Sequence, residues 1–130
     1  MNPLELASRY IVPAVTRRLV KVLVEEHAFS RAEVARRTGL SPAAVTRYLK
    51  GERGSMLDLG SLEDVESKVK KLAEKVALGR VSVPNLQAEI ASIAAYAMAK
   101  GYFCELHAKL DSRFGSKSCS ACQQVFRPQF

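Results

Sequence analysis

Cys104-x-x-His107 and Cys119-x-x-Cys122 form two close pairs of metal-ligating residues with eleven residues between them. Thiolate and imidazole are the donors that tetrahedral zinc prefers, and a pair with two residues between its members can grip an ion from a single turn of chain. Gly101 and Gly115 stand where the backbone would have to turn. The set reads as one zinc ion in a structural role, because four protein ligands leave no coordination position for a substrate water. An iron-sulfur cluster on the same residues is the second reading. Metal-free readings are a core cysteine, a solvated histidine and a redox pair, the last of which would need a strand-helix-strand setting of the thioredoxin kind that the sequence does not display. Three cysteines cannot all pair within one chain, so a disulfide framework is not expected.

A second group of residues points to polyanion recognition. Six basic residues (Arg31, Arg36, Arg37, Arg47, Lys50 and Arg53) face two acidic ones (Glu33 and Glu52) between positions 31 and 53, a local excess of +4 out of the chain's +7. The same segment has the pattern of two short helices crossing at a tight turn: Ala35 as the small contact, Gly39 free to take positive φ, and Val34, Leu40, Val45 and Leu49 to hold the second helix down. Ser41, Ala43, Ala44, Thr46, Arg47 and Lys50 then fall on the face left free, where a recognition helix meets the major groove. No nucleophile-base-acid grouping, phosphate-cradling glycine loop or pair of carboxylates in a cleft motif is present, so an enzyme is not expected.

The elements that must position these residues are all helical. Asn2-Pro3 opens a helix with Leu4, Ala7, Tyr10 and Ile11 on one stripe. Pro13 interrupts it, and Val15, Leu19, Val22 and Leu23 continue to about His27, as one kinked helix or a short one feeding a longer one. Ser30 and Glu33 fit a reciprocal capping box, Ser41-Pro42 starts the next helix and Gly51 stops it. Ser61 with Asp64 reads as a further cap. Leu62, Val65, Val69, Leu72 and Val76 follow at heptad spacing, a stripe that is either plain core or a dimer seam. Val83-Pro84-Asn85 breaks the chain before an alanine-rich helix that runs to about Lys100. The tail from Gly101 has little periodicity.

The fold class expected is therefore all-α: a helix-turn-helix module over 1–60, a helical dimerisation region over 61–100 and a small cysteine-rich knuckle over 101–130. The 130 residues, 48% apolar and 25% charged, suit one ordinary soluble domain or two small modules. The absence of a long apolar run or signal-peptide pattern leads to the expectation of a cytoplasmic protein with no membrane partner.

Tyr10-Ile11-Val12-Pro13-Ala14-Val15, the run Gly39 to Leu49 (GLSPAAVTRYL) and Gly51-Glu52-Arg53-Gly54 give the first 55 residues a resemblance to helix-turn-helix regulators of the lambda-repressor/Cro type. The similarity is greater still to a group of predicted archaeal transcriptional regulators. The resemblance implies DNA contacts through Ser41, Ala43, Ala44, Thr46, Arg47, Lys50 and Arg53, with Arg31 beside them. It extends into the tail, where such proteins carry a further Cys-x-x-Cys at positions that are Ala91 and Ala94 here, a loss that weighs against an iron-sulfur cluster and leaves the four-ligand set complete.

These features predict a sequence-specific transcriptional regulator that binds double-stranded DNA as a homodimer. A protein-interaction module that docks its helix-turn-helix on a toxin or a polymerase subunit is the alternative. A zinc-dependent RNA-binding factor is a third reading, disfavoured by the scarcity of aromatic residues free for base stacking.

Overall fold

A computed structural model describes residues 1–115 and 119–127, and among them there are helices and no strand. The first helical run starts from a reciprocal cap: Asn2 Oδ1 accepts the Glu5 N–H at 3.0 Å and Glu5 Oε1 accepts the Asn2 N–H at 3.1 Å. α1 (Pro3–Leu6) passes through a π-helical segment (Ala7–Ile11) into α2 (Val12–Glu25) without leaving helical backbone angles. Pro13 accounts for the wider turn, since a proline inside an α-helix donates no hydrogen bond and its ring crowds the carbonyl four residues earlier. The expected interruption is thus a π turn within one continuous rod.

α2 is the hub. Ala14, Val15, Thr16, Leu19, Val20, Val22 and Leu23 are all buried, a broad arc opposite Arg17, Lys21 and Glu25, and α3 (Arg31–Thr38), α4 (Pro42–Leu49), α5 (Glu63–Ala77) and α6 (Val83–Ala99) pack against α2. α7 (Cys104–Leu110) and α8 (Ala121–Phe126) complete the chain, with α8 packed on α6 and α1. One hydrophobic cluster runs from Leu6 to Cys122, so the segments 1–60, 61–100 and 101–130 share a core.

Three expectations are settled by the tertiary structure. Of the two readings of the heptad stripe the core one holds for Val65, Val69, Leu72 and Val76, which are buried where α5 packs on α2 and α6, while Leu62 is half-buried. Ser61 does not cap α5. Its hydroxyl donates to the Asp58 carbonyl, while the Asp64 carboxylate accepts the hydroxyls of Tyr96 and Tyr102 at 2.6 Å each. The break expected at Val83-Pro84-Asn85 is instead the start of α6: Pro84 lies in its first turn, behind a Ser82 cap on the Asn85 N–H, where a missing N–H leaves no bond unmade.

The α3–α4 pair is held on the body of the protein at its turn. Gly39 has φ 78°, and a Cβ there would stand 2.7 Å from Val83 Cγ1. Arg37 Nη1 donates to the Val76 carbonyl at 3.0 Å, a second bond to an oxygen that already accepts the Gly79 N–H at the end of α5.

Candidate functional site

α4 begins at Ser41, whose Oγ accepts the Ala44 N–H at 3.1 Å, and ends at Lys50 and the positive-φ Gly51. Residues three and four apart share a helix face. Ala43, Arg47 and Lys50 accordingly stand exposed together, with Thr46 half-buried beside them. Ala44 does not belong to that set: it is buried with Val45 and Tyr48 on the inner face. The expected DNA-contacting group is corrected by its loss, because the face that packs on α2 is set by Ala44, Val45 and Tyr48, with Leu40 and Leu49 only partly covered.

The basic residues divide into two kinds. Glu33 N–H does bond Ser30 Oγ, at 3.1 Å, but the Glu33 carboxylate pairs with Arg36 and Arg37 instead of closing the capping box, and those two guanidiniums hold its pKa below the usual carboxylate range. Arg37 is further committed to Val76 and lies over the Phe29 ring. Arg31, Arg47, Lys50 and Arg53 are exposed and form no ion pair among the described residues. Those four are the cations of the segment without an ion pair among the described residues; Arg36 and Arg37 share the single charge of Glu33, and Glu52 stands exposed beside Arg53.

Sequence reasoning missed Arg9. The loop after α4 folds back on the start of α2, with Gly54 (φ 69°) against the Pro13 carbonyl. This brings Arg53 and Arg9 to the same open hollow of about 490 Å³, lined also by Tyr10, Tyr48, Met56 and the carboxylate-bearing Glu52. The signal was present in Gly54 and Pro13, yet contact between residues 41 positions apart has no periodicity to reveal it.

The second candidate site is in the tail. Cys104, His107, Cys119 and Cys122 line one cavity of about 10 Å³, close to the room taken by a single water molecule, together with Gly101 and Gly115. Cys104 and His107 share a face of α7, and Cys122 is buried in the first turn of α8. The eleven-residue connection between the pairs includes 116–118, which lie outside the described residues. Gly115 (φ 80°) is needed at its position, since a Cβ would stand 2.5 Å from that of Ala108.

The environment of each donor differs. The backbone N–H groups of Ala121 and Gly115 lower the pKa of Cys119, whereas burial, then the neighbouring Cys104 and Cys119, raise that of Cys122. His107 is 2% exposed, its ring stacked on Phe114 at 4.0 Å, and its Nε2 lies 2.7 Å from the Met1 carbonyl oxygen. A carbonyl can only accept, so Nε2 carries the hydrogen and Nδ1 keeps the lone pair when the ring is neutral. Met1 is itself fixed by its ammonium, 2.6 Å from Asp111 Oδ2. Arg113 first, and that ammonium second, hold the Asp111 carboxyl well below the usual range. Among the described residues no three His, Cys, Asp or Glu side chains are already arranged as a metal-binding group.

Among the described residues no helix is long and apolar enough to cross a membrane. Compared with protein-family models, curated proteins and solved structures, the chain has no significant match.

Proposed function

We propose that the protein is a sequence-specific DNA-binding transcriptional regulator in which α3 and α4 form a helix-turn-helix and α4 is the recognition helix. The observation that carries this reading is the shared exposed face of Ala43, Arg47 and Lys50, with Thr46 half-buried at its edge, whose two cations have no ion pair among the described residues. An α-helix fits the major groove, where arginine can bond both O6 and N7 of a guanine and a methyl group can contact thymine. Arg47 and Ala43 suit those roles. Lys50, Arg53, Arg31 and the added Arg9 suit phosphate contacts, which fix register without reading sequence. Ser41 contributes chiefly as the cap that starts the helix.

Selective recognition by so small a reading head calls for two copies on half-sites about 34 Å apart. A homodimer remains part of the reading, but its contact surface must be sought outside the buried α5 stripe.

In the tail, Cys104, His107, Cys119 and Cys122 would hold one structural zinc ion. Three thiols and an imidazole are a fitting donor set, they border one cavity, and the Nε2–H to carbonyl bond leaves Nδ1 as the ligating nitrogen in the manner of an outer-shell support. The ion would supply a crosslink between α7 and α8.

The test is binding of fluorescent genomic duplexes across a salt series. Affinity for a selected duplex should fall by orders of magnitude between about 50 and 200 mM salt if six or more phosphates are contacted. A salt-independent affinity, or equal affinity for every duplex, would refute the reading.

A further inference from the structure

α5 and α6 enclose a groove of about 330 Å³ on the surface of the protein, distinct from the α4 face and from the cysteine cavity. Lys68, Lys71 and Lys75 line one wall at spacings of three and four residues, and Glu89, Ser92 and Tyr96 repeat the same spacing on the other. Each wall is therefore one helix face. Leu72 and Ile93 close the floor and are themselves almost fully covered.

The acidic residues at helical spacing from these lysines, Asp64 before Lys68 and Glu74 after Lys71, form no ion pair with them among the described residues. Like charges three or four residues apart on a helix oppose folding, and here three lysines follow one another along one face. Only Lys75 has a carboxylate, Glu89 at 2.8 Å; Lys71 has no ion pair among the described residues, and Lys68 lies over the Tyr96 ring at 4.3 Å. That ring is held by its hydroxyl on Asp64, so the wall on which Lys68 rests is fixed in place.

We infer that this groove binds a small organic di- or polyphosphate. Lys68 and Lys71 stand one helical turn apart, a rise of about 4.5 Å, which suits two adjacent phosphoryl groups better than one. Ser92 offers a hydroxyl donor, and the organic part would lie along Tyr96 and Ile93. The volume falls in the range of small-molecule sites, roughly 300 to 1,000 Å³. Charge complementarity selects an anion, and the covered floor leaves too little apolar surface for an amphipathic helix.

Inorganic pyrophosphate is the probe, titrated calorimetrically into the full chain at constant ionic strength, without DNA. Saturable one-to-one binding is expected, at least tenfold weaker in Lys71→Gln and unchanged in Lys70→Gln, whose exposed lysine is 3.8 Å from Glu26 and outside the groove. Both positions are exposed, so circular dichroism should be the same for the two variants. Absence of saturation, or equal weakening by both substitutions, would overturn the inference. So would a duplex affinity that falls in Lys71→Gln by the same factor as pyrophosphate affinity, because the groove would then belong to a nucleic-acid surface. The pyrophosphate arm can fail while α4 still reads DNA, which separates the two conclusions.

Discussion

Gly54 lies so close to the carbonyl oxygen of Pro13 that a Cβ at position 54 would stand 2.3 Å from it. The loop after α4 is thereby seated on the turn where the π-helical segment gives way to α2, and Arg53 is delivered beside Arg9. Gly54→Ala should destabilise the fold by at least about 1–2 kcal/mol through the positive φ alone, before any displacement from Pro13. Urea melts read the stability. A DNA affinity that falls further than the lost folded fraction explains would report the displacement of Arg53.

Arg47→Ala should relax the preference at one base pair by about 1–3 kcal/mol, and Lys50→Ala should weaken all duplexes alike. Competition against a set of single-base operator variants distinguishes the two patterns. A uniform loss in Arg47→Ala would reassign that side chain to the phosphates.

Leu72→Asp should unfold the protein or destabilise it severely, because position 72 is 3% exposed and a carboxylate there would be taken out of water and would replace core packing, even with Lys68 and Lys75 one turn away. Leu72→Ala should fold but lose about 2–5 kcal/mol to the cavity. Sedimentation should find the same association state for Leu72→Ala as for the parent chain. A folded, monomeric Leu72→Asp would restore the dimer-seam reading.

Acid should unfold the protein through its paired carboxylates. Arg18 donates to both Glu66 oxygens from Nε, at 2.8 and 3.0 Å, and its hydrogen bonds lower the Glu66 pKa from 4.5. A carboxyl with a lower pKa in the folded state contributes stability above its unfolded pKa and loses it as pH falls through the folded one. Stability should therefore begin to drop below about pH 4.5, and Glu66→Gln, less stable at pH 7, should show a shallower drop. Parallel curves for the two proteins would remove Glu66 from the acid transition.

Protein purified without chelator should contain about one zinc per chain, with a large loss in Cys119→Ser, in which Ala121 and Gly115 would face a hydroxyl instead of a thiolate. Elemental analysis measures this directly. A fully folded wild type without metal would defeat the zinc proposal, and iron in the preparation would replace it with a cluster.

The parts of the fold legible in the sequence are those governed by neighbours within one turn. Asn2, Ser30, Ser41 and Gly39 announced their roles because a cap or a helix stop is decided by a side chain and a backbone group three or four residues apart. The same locality misled at Ser61, where Asp64 has a stronger attraction to the hydroxyls of Tyr96 and Tyr102, and at Glu33, which two arginines draw away from the cap.

Composition and periodicity by themselves determined an all-helical chain, which helix faces are apolar, and the candidate ligand residues Cys104, His107, Cys119 and Cys122. Only the tertiary structure decided what each apolar face meets: the α5 stripe is covered by α2 and α6, and Ala44, not Ala43, turns inward against the core. It also brought Met1 to His107 and Arg9 to Arg53. A helical period specifies a direction around an axis, whereas burial depends on which other surface occupies that direction, and that surface comes from residues tens of positions away.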